Sequence, residues 1–143
     1  MPLFSRRSDK ADALGKIPLL SGLSKSHLME VARHADELTV PAGDVLTREG
    51  EAGREAFLIV KGSVTVRRKG RKLATRGPGD VIGEMSLLDD QPRSATCKTD
   101  EETVLLVMSR SDFSSLISEV PGLARKLLAS MSRRLREAEK HNA

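Results

Sequence analysis

Glu84 and Arg93 are the two charged residues whose neighbours could give them a shared chemistry. They lie in the run Gly79-Asp80-Val81-Ile82-Gly83-Glu84-Met85-Ser86-Leu87-Leu88-Asp89-Asp90-Gln91-Pro92-Arg93-Ser94-Ala95-Thr96. A strand ending at Ile82 and a sharp turn at Gly83 leave one helical turn over 84–88, with its free N–H groups facing the turn. Such groups, Met85 and Ser86 included, form a nest for an anion. Pro92 stiffens the loop from which Arg93 emerges, ten residues after Gly83, and a guanidinium offers a planar fork of donors suited to phosphate. Ser94 adds a hydroxyl, Ala95 continues into the next strand, and Glu84 can accept hydrogen bonds from a ribose or an amine. Alone, each has a plain reading: a turn glycine, a first-turn carboxylate, a surface arginine. In this order they describe a pocket for one phosphate attached to a sugar.

The elements that must position these residues follow from the apolar pattern. The segment 10–35 reads as helix, interrupted at Pro18 and again near 21–22, with Ser24 placed to cap a second helix carrying Leu28, Val31, Ala32 and Ala35. From 38 to 108 short apolar runs alternate with Gly and Pro, and about eight strands are predicted. That pattern fits a small barrel or jelly roll. A helix through Phe113, Leu116 and Ile117 then stops ahead of Pro121. A last helix carries Leu123, Leu127, Leu128, Met131 and Leu135 on an apolar stripe, with most of its arginines elsewhere.

Length and composition exclude several classes. A chain of 143 residues is the size of one domain. Three Phe with no Trp or Tyr cannot build the stacking platforms that hold unpaired bases. Cys97 is the only cysteine, which excludes an internal disulfide and a multi-thiolate metal site and suits a reducing cytoplasm. The N-terminus runs from two arginines into further charges, unlike a secretory signal, and no stretch reaches the ~20 apolar residues that span a bilayer. His27, His34 and His141 all lie outside the strand region, so neither a barrel metal centre nor a Ser-His-Asp hydrolase is expected. The net charge of +4 is uneven: 61–72 holds six basic residues and no acidic one, which reads as a solvated hairpin with Gly70 at its turn.

The cassette 83–88 followed by 92–96 resembles the phosphate-binding segment of the cyclic nucleotide-binding domain family. Further resemblance lies in Ile17-Pro18-Leu19-Leu20-Ser21-Gly22-Leu23-Ser24, in Gly43-Asp44-Val45-Leu46 with Glu49-Gly50, and in Phe57-Leu58-Ile59-Val60-Lys61-Gly62-Ser63-Val64. It implies a mainly β fold with flanking helices: an eight-stranded β-roll (a jelly roll or double-stranded β-helix) with N-terminal helices and C-terminal B and C helices. In this chain that means a flexible tail over 1–9, helices over 10–36, the roll over 37–108 and C-terminal helices over 110–140.

The resemblance also implies that Arg93, Ser94, Ala95 and the amides around Gly83, Glu84, Met85 and Ser86 bind a cyclic phosphate, with Glu84 taking the ribose 2′-hydroxyl. Ile82 replaces the aromatic residue often found before the cassette glycine. A buried Glu84 needs donors around it, and Arg134 in the last helix is the expected partner. Ser94 leans toward cyclic AMP, with cyclic GMP possible, and no metal is expected. The stripe on the last helix serves as a lid over the base or as a homodimer seam through Leu123, Leu127, Met131 and Leu135. Ala138 and Glu139 replace the hydroxyl side chains with which some relatives read adenine. The expectation is a non-enzymatic, cytoplasmic receptor that signals through its last helix to a partner the sequence does not name. No DNA-reading module is expected within these residues. Two other readings are a degenerate roll acting as a protein-interaction module and the ligand domain of a longer transcription regulator.

Overall fold

The computed structural model describes residues 3–4, 6–17 and 19–142, with the backbone alone for Met85, Leu88, His141 and Asn142. Eight strands form in chain order: β1 (Asp36–Val40), β2 (Val45–Thr47), β3 (Glu55–Lys61), β4 (Val64–Arg68), β5 (Arg71–Arg76), β6 (Val81–Ile82), β7 (Thr96–Thr99) and β8 (Thr103–Ser109). They pair antiparallel into two sheets of four, ordered β1-β8-β3-β6 and β2-β7-β4-β5. This is the expected roll. Helices α1 (Arg7–Leu14) and α2 (Lys25–His34) precede it, α3 (Glu84–Asp89) interrupts it, and α4 (Arg110–Glu119) and α5 (Leu123–Asn142) follow.

The central strands β3 and β8 of the first sheet are buried on both faces, and the twofold period of a strand sorts their side chains between two cores. Phe57 and Ile59 of β3, Leu105 of β8 and Ile82 of β6 point into the roll with Val40, Val64 and Cys97. Ala56, Leu58, Leu106, Met108 and Val81, one residue out of step, pack against the helices with Leu14, Val31, Phe113, Leu116 and Leu127. Continuous apolar runs in β3 and β8 are therefore what two-sided burial requires. The second sheet ends in the exposed β4–β5 hairpin, whose tip residues Lys69 and Gly70 have φ of 51° and 78°. Successive left-handed residues suit a tight hairpin turn, and the basic run is solvated as expected.

The helical entry departs from expectation. α1 begins at Arg7, inside the stretch read as a tail, and Glu37 accepts the amides of Leu3 and Phe4, the latter at 2.9 Å. It ends at Leu14, and turns from Ala11, Ala13 and Leu14 carry the chain past Gly15 to Ile17. Pro18, expected to break the helix, lies outside the described residues. Ser24 does cap α2, accepting the His27 amide at 3.2 Å. Lys10 then donates to the carbonyls of Ala32 and Ala35 at 3.1 and 2.8 Å, a cation placed at the negative end of α2.

Candidate functional site

Gly83 ends β6 and opens α3 with φ 84°, a left-handed conformation that glycine takes without steric cost. A side chain there would also collide with the Arg93 guanidinium. Gly53, on the loop before β3, is tight for a related reason, since a Cβ would meet Ser86 and Arg93. Two glycines thus make room for one buried arginine.

Arg93 is 7% exposed. Its Nη1 donates to the Gly83 carbonyl and its Nη2 to the Glu55 carbonyl, both at 2.7 Å. Burial holds the guanidinium below the ordinary arginine value. Those two bonds use two of the five N–H donors an arginine carries. The backbone around it is fixed as well, with the Arg93 amide on Glu51 O at 2.8 Å and the Gly50 amide on Arg93 O at 2.9 Å. Ser94 is exposed, and its carbonyl accepts from Arg68 Nε at 2.9 Å. Ala95 is buried, with its carbonyl taking the Thr47 hydroxyl at 3.0 Å.

Glu84, the first residue of α3, is 3% exposed. A bare buried carboxylate costs several kcal/mol, so it requires a partner. Arg134 supplies one, with Nη1 2.7 Å from Glu84 Oε1 and Nη2 3.1 Å from the Val81 carbonyl. The pair spans fifty residues of sequence and ties α5 to the turn between β6 and α3. Ser86 is buried beside it. Met85 lies on α3 by its backbone, and its side chain is outside the described part. Ile82 faces the roll core, so its role here is packing.

A residue absent from the sequence reading completes the site. Arg110, the first residue of α4, sends Nη2 to the carbonyls of Gly53 and Ser86 at 2.9 and 3.1 Å and Nη1 to Leu87 O at 3.3 Å, and also bonds Asp90 Oδ1. It clamps the far end of α3. The signal was present in the sequence: a cation at a helix N-terminus opposes the dipole, so an arginine there needs another purpose.

The seam residues need one correction. Leu123 and Leu127 are buried in the helix-side core, whereas Leu128 and Leu135 are 65% and 62% exposed. The first two therefore cannot meet a second copy without opening the domain. Leu127 and Arg134, seven residues and about two turns apart, share the inward face. Ala138 and Glu139 are exposed.

With this geometry in place, the comparisons with known proteins decide the family. The model of the cyclic nucleotide-binding domain matches residues 37–120, more than half of the chain. The chain belongs to the cyclic nucleotide-binding domain family. The cyclic AMP receptor protein of Thermus thermophilus is 36% identical over 127 residues, covering 85% of this chain and 59% of that protein. A cyclic nucleotide-gated potassium channel of Mesorhizobium japonicum is 39% identical, covering 76% of this chain and 30% of the channel. Among solved structures, the Thermus thermophilus catabolite activator protein superposes with a TM-score of 0.79 at 36% identity, over 87% of this chain and 61% of that one. A cyclic nucleotide-binding domain from Methylobacillus flagellatus also gives 0.79, at 30% identity over 94% of this chain and 81% of that one. The domain thus spans about three-fifths or less of the curated relatives named here. No helix among the described residues is long and apolar enough to cross a membrane.

Proposed function

We propose that this domain is a non-enzymatic cytoplasmic receptor for a cyclic nucleotide, with cyclic AMP preferred over cyclic GMP. The observation that carries this is the buried Glu84 at the start of α3, next to a buried Arg93 under the same turn. Those groups can recognise a phosphate and a hydroxyl. Arg93 keeps three N–H donors beyond the two given to carbonyls, and Ser94 and the first amides of α3 add more. Glu84 uses Oε1 for Arg134, and a carboxylate has lone pairs left for a ribose 2′-hydroxyl. Ser94 in place of threonine supports cyclic AMP, as does the similarity to the cyclic AMP receptor protein of Thermus thermophilus.

Signalling then follows from the two ties on α3. A phosphate that draws α3 inward moves Glu84, and Arg134 passes that displacement to α5. Arg110 passes the movement of the other end to α4. The equilibrium shifts only by as much as the nucleotide prefers one arrangement over the other. The downstream partner, and any homodimer through α5, would read the position of that helix.

Calorimetric titration of protein freed of carried-over nucleotide by unfolding and refolding tests this reading. Saturable 1:1 binding of cyclic AMP near or below about 1 μM, roughly −8 kcal/mol, with weaker cyclic GMP, is the expected result. No heat and no thermal stabilisation with either nucleotide would make the roll a protein-interaction module instead.

A further inference from the structure

Where the end of α4 meets α2, three side chains outside the nucleotide site converge. Glu30 and His34 are four residues apart on α2 and so share a face, and Glu119 is the last residue of α4. His34 Nε2 stands 3.9 Å from Glu30 Oε2 and 4.0 Å from Glu119 Oε2. One ligand atom from each residue lies within 4.8 Å of the other two. The opposite ring nitrogen, Nδ1, is 2.8 Å from Asp112 Oδ1. An ionised carboxylate only accepts, so Nδ1 carries a proton in this bond. In the neutral ring the Nε2 lone pair then faces the two glutamates. A histidine oriented by a carboxylate, with its free nitrogen turned toward further carboxylates, is the arrangement that metal sites use to fix ring and tautomer.

The electrostatics agree. The Arg33 guanidinium is drawn to the same spot, with Nη2 2.9 Å from Glu30 Oε2 and 3.3 Å from His34 Nε2. Glu30 and Glu119 together offer two negative charges around the Arg33 guanidinium bonded to Glu30, with Arg7 acting on Glu30 through space. Arg33 is half exposed at the end of a flexible side chain, so it can leave without disturbing the helix.

We propose that Glu30, His34 and Glu119 bind a divalent transition-metal ion of the zinc class, with Asp112 orienting His34 and Arg33 yielding its place to the ion. One imidazole and two carboxylates suit zinc and its first-row neighbours, whereas calcium and magnesium take oxygen ligands throughout. Water completes the coordination on the open side. The histidines lie outside the strands, and this site falls between helices, with eighty-five residues from His34 to Glu119. A bound ion would staple α2 to α4 just before the 120–122 turn into α5.

The test is calorimetric titration of the tag-free chain with Zn²⁺, repeated with Co²⁺ while following its visible absorption. The expected result is 1:1 binding by the wild type, lost in His34→Gln and weakened in Glu119→Gln. Asp112→Asn should weaken it by about 10- to 100-fold, the usual effect of removing an orienting carboxylate. Arg33→Gln should bind more tightly than the wild type, and His27→Gln, on the same helix, should match it. Glu119 is exposed, so Glu119→Gln serves as the check where an interior change disturbs folding. The proposal is overturned if the wild type takes up no ion, if Glu119→Gln and His34→Gln bind as tightly as wild type, or if Arg33→Gln weakens binding.

Discussion

At the scale of single residues, Arg93 illustrates how a site can be partly written in sequence. Glu84, Gly83 and Arg93 were legible because strand, turn and loop place them within eleven positions of one another. The partners that hold Arg93 were not: they are the carbonyls of Gly83 and Glu55, and every residue has a carbonyl. The same argument covers Arg110, whose acceptors Gly53, Ser86 and Leu87 carry no side-chain signature. Because Arg93 is desolvated, Arg93→Ala should cost about 2 to 5 kcal/mol of cyclic nucleotide binding. At about 1.4 kcal/mol per tenfold, that is at least a twentyfold rise in Kd, measurable by calorimetry. Unchanged affinity would remove Arg93 from the binding site. Ser94→Thr should raise the affinity for cyclic GMP relative to cyclic AMP, and a constant ratio would show that this hydroxyl does not read the base. Cys97 offers a control at the same scale. It is buried in the roll, and burial pushes its thiol up, so a thiol reagent should label it only as the protein unfolds. Labelling at the rate of a free thiol would show that the roll opens readily.

Among the elements, α3 has too few residues to stand alone as a helix, and its position comes from three arginines that reach it from other parts of the chain. Arg93 holds the turn at Gly83, Arg134 holds Glu84, and Arg110 holds the carbonyls of Ser86 and Leu87. The strands needed no such help to be recognised, because two-sided burial in β3 and β8 gives unbroken apolar runs. The inward and outward faces of α5 were harder to separate, since Leu127 and Leu128 are neighbours on one stripe and only the fold says which is buried. For the Glu84–Arg134 pair the balance of terms is informative. Fully buried pairs lose about 3 to 5 kcal/mol when one partner is removed, and exposed ones up to about 1. Glu84 is buried and Arg134 retains about a quarter of its exposure, so Arg134→Ala should cost about 1 to 3 kcal/mol in denaturant unfolding. Glu84→Gln in the same chain should recover part of that loss, because the uncompensated charge is gone. Strict additivity of the two changes would show that the ion pair does not couple them.

For the whole molecule, the outer face of α5 raises the question of a second copy. Leu128 and Leu135 lie one heptad apart on that face, while Met131 between them is partly buried against the helix-side core. Leu128 and Leu135 are among the few large apolar side chains left exposed, and they stand one above the other along the helix. The inward face of the same helix is already committed, through Leu127 to the core and Arg134 to Glu84. One helix can therefore serve a dimer and the nucleotide site at once, and linkage requires the two equilibria to affect each other by the same factor. Sedimentation equilibrium should find a dimer, with an association constant that changes when cyclic AMP is added. Leu128→Lys combined with Leu135→Lys should give a monomer that still binds one nucleotide per chain, because both side chains are exposed and the cassette residues are untouched. A wild-type monomer at the highest attainable concentration, with and without nucleotide, would leave α5 as an output that another protein must read.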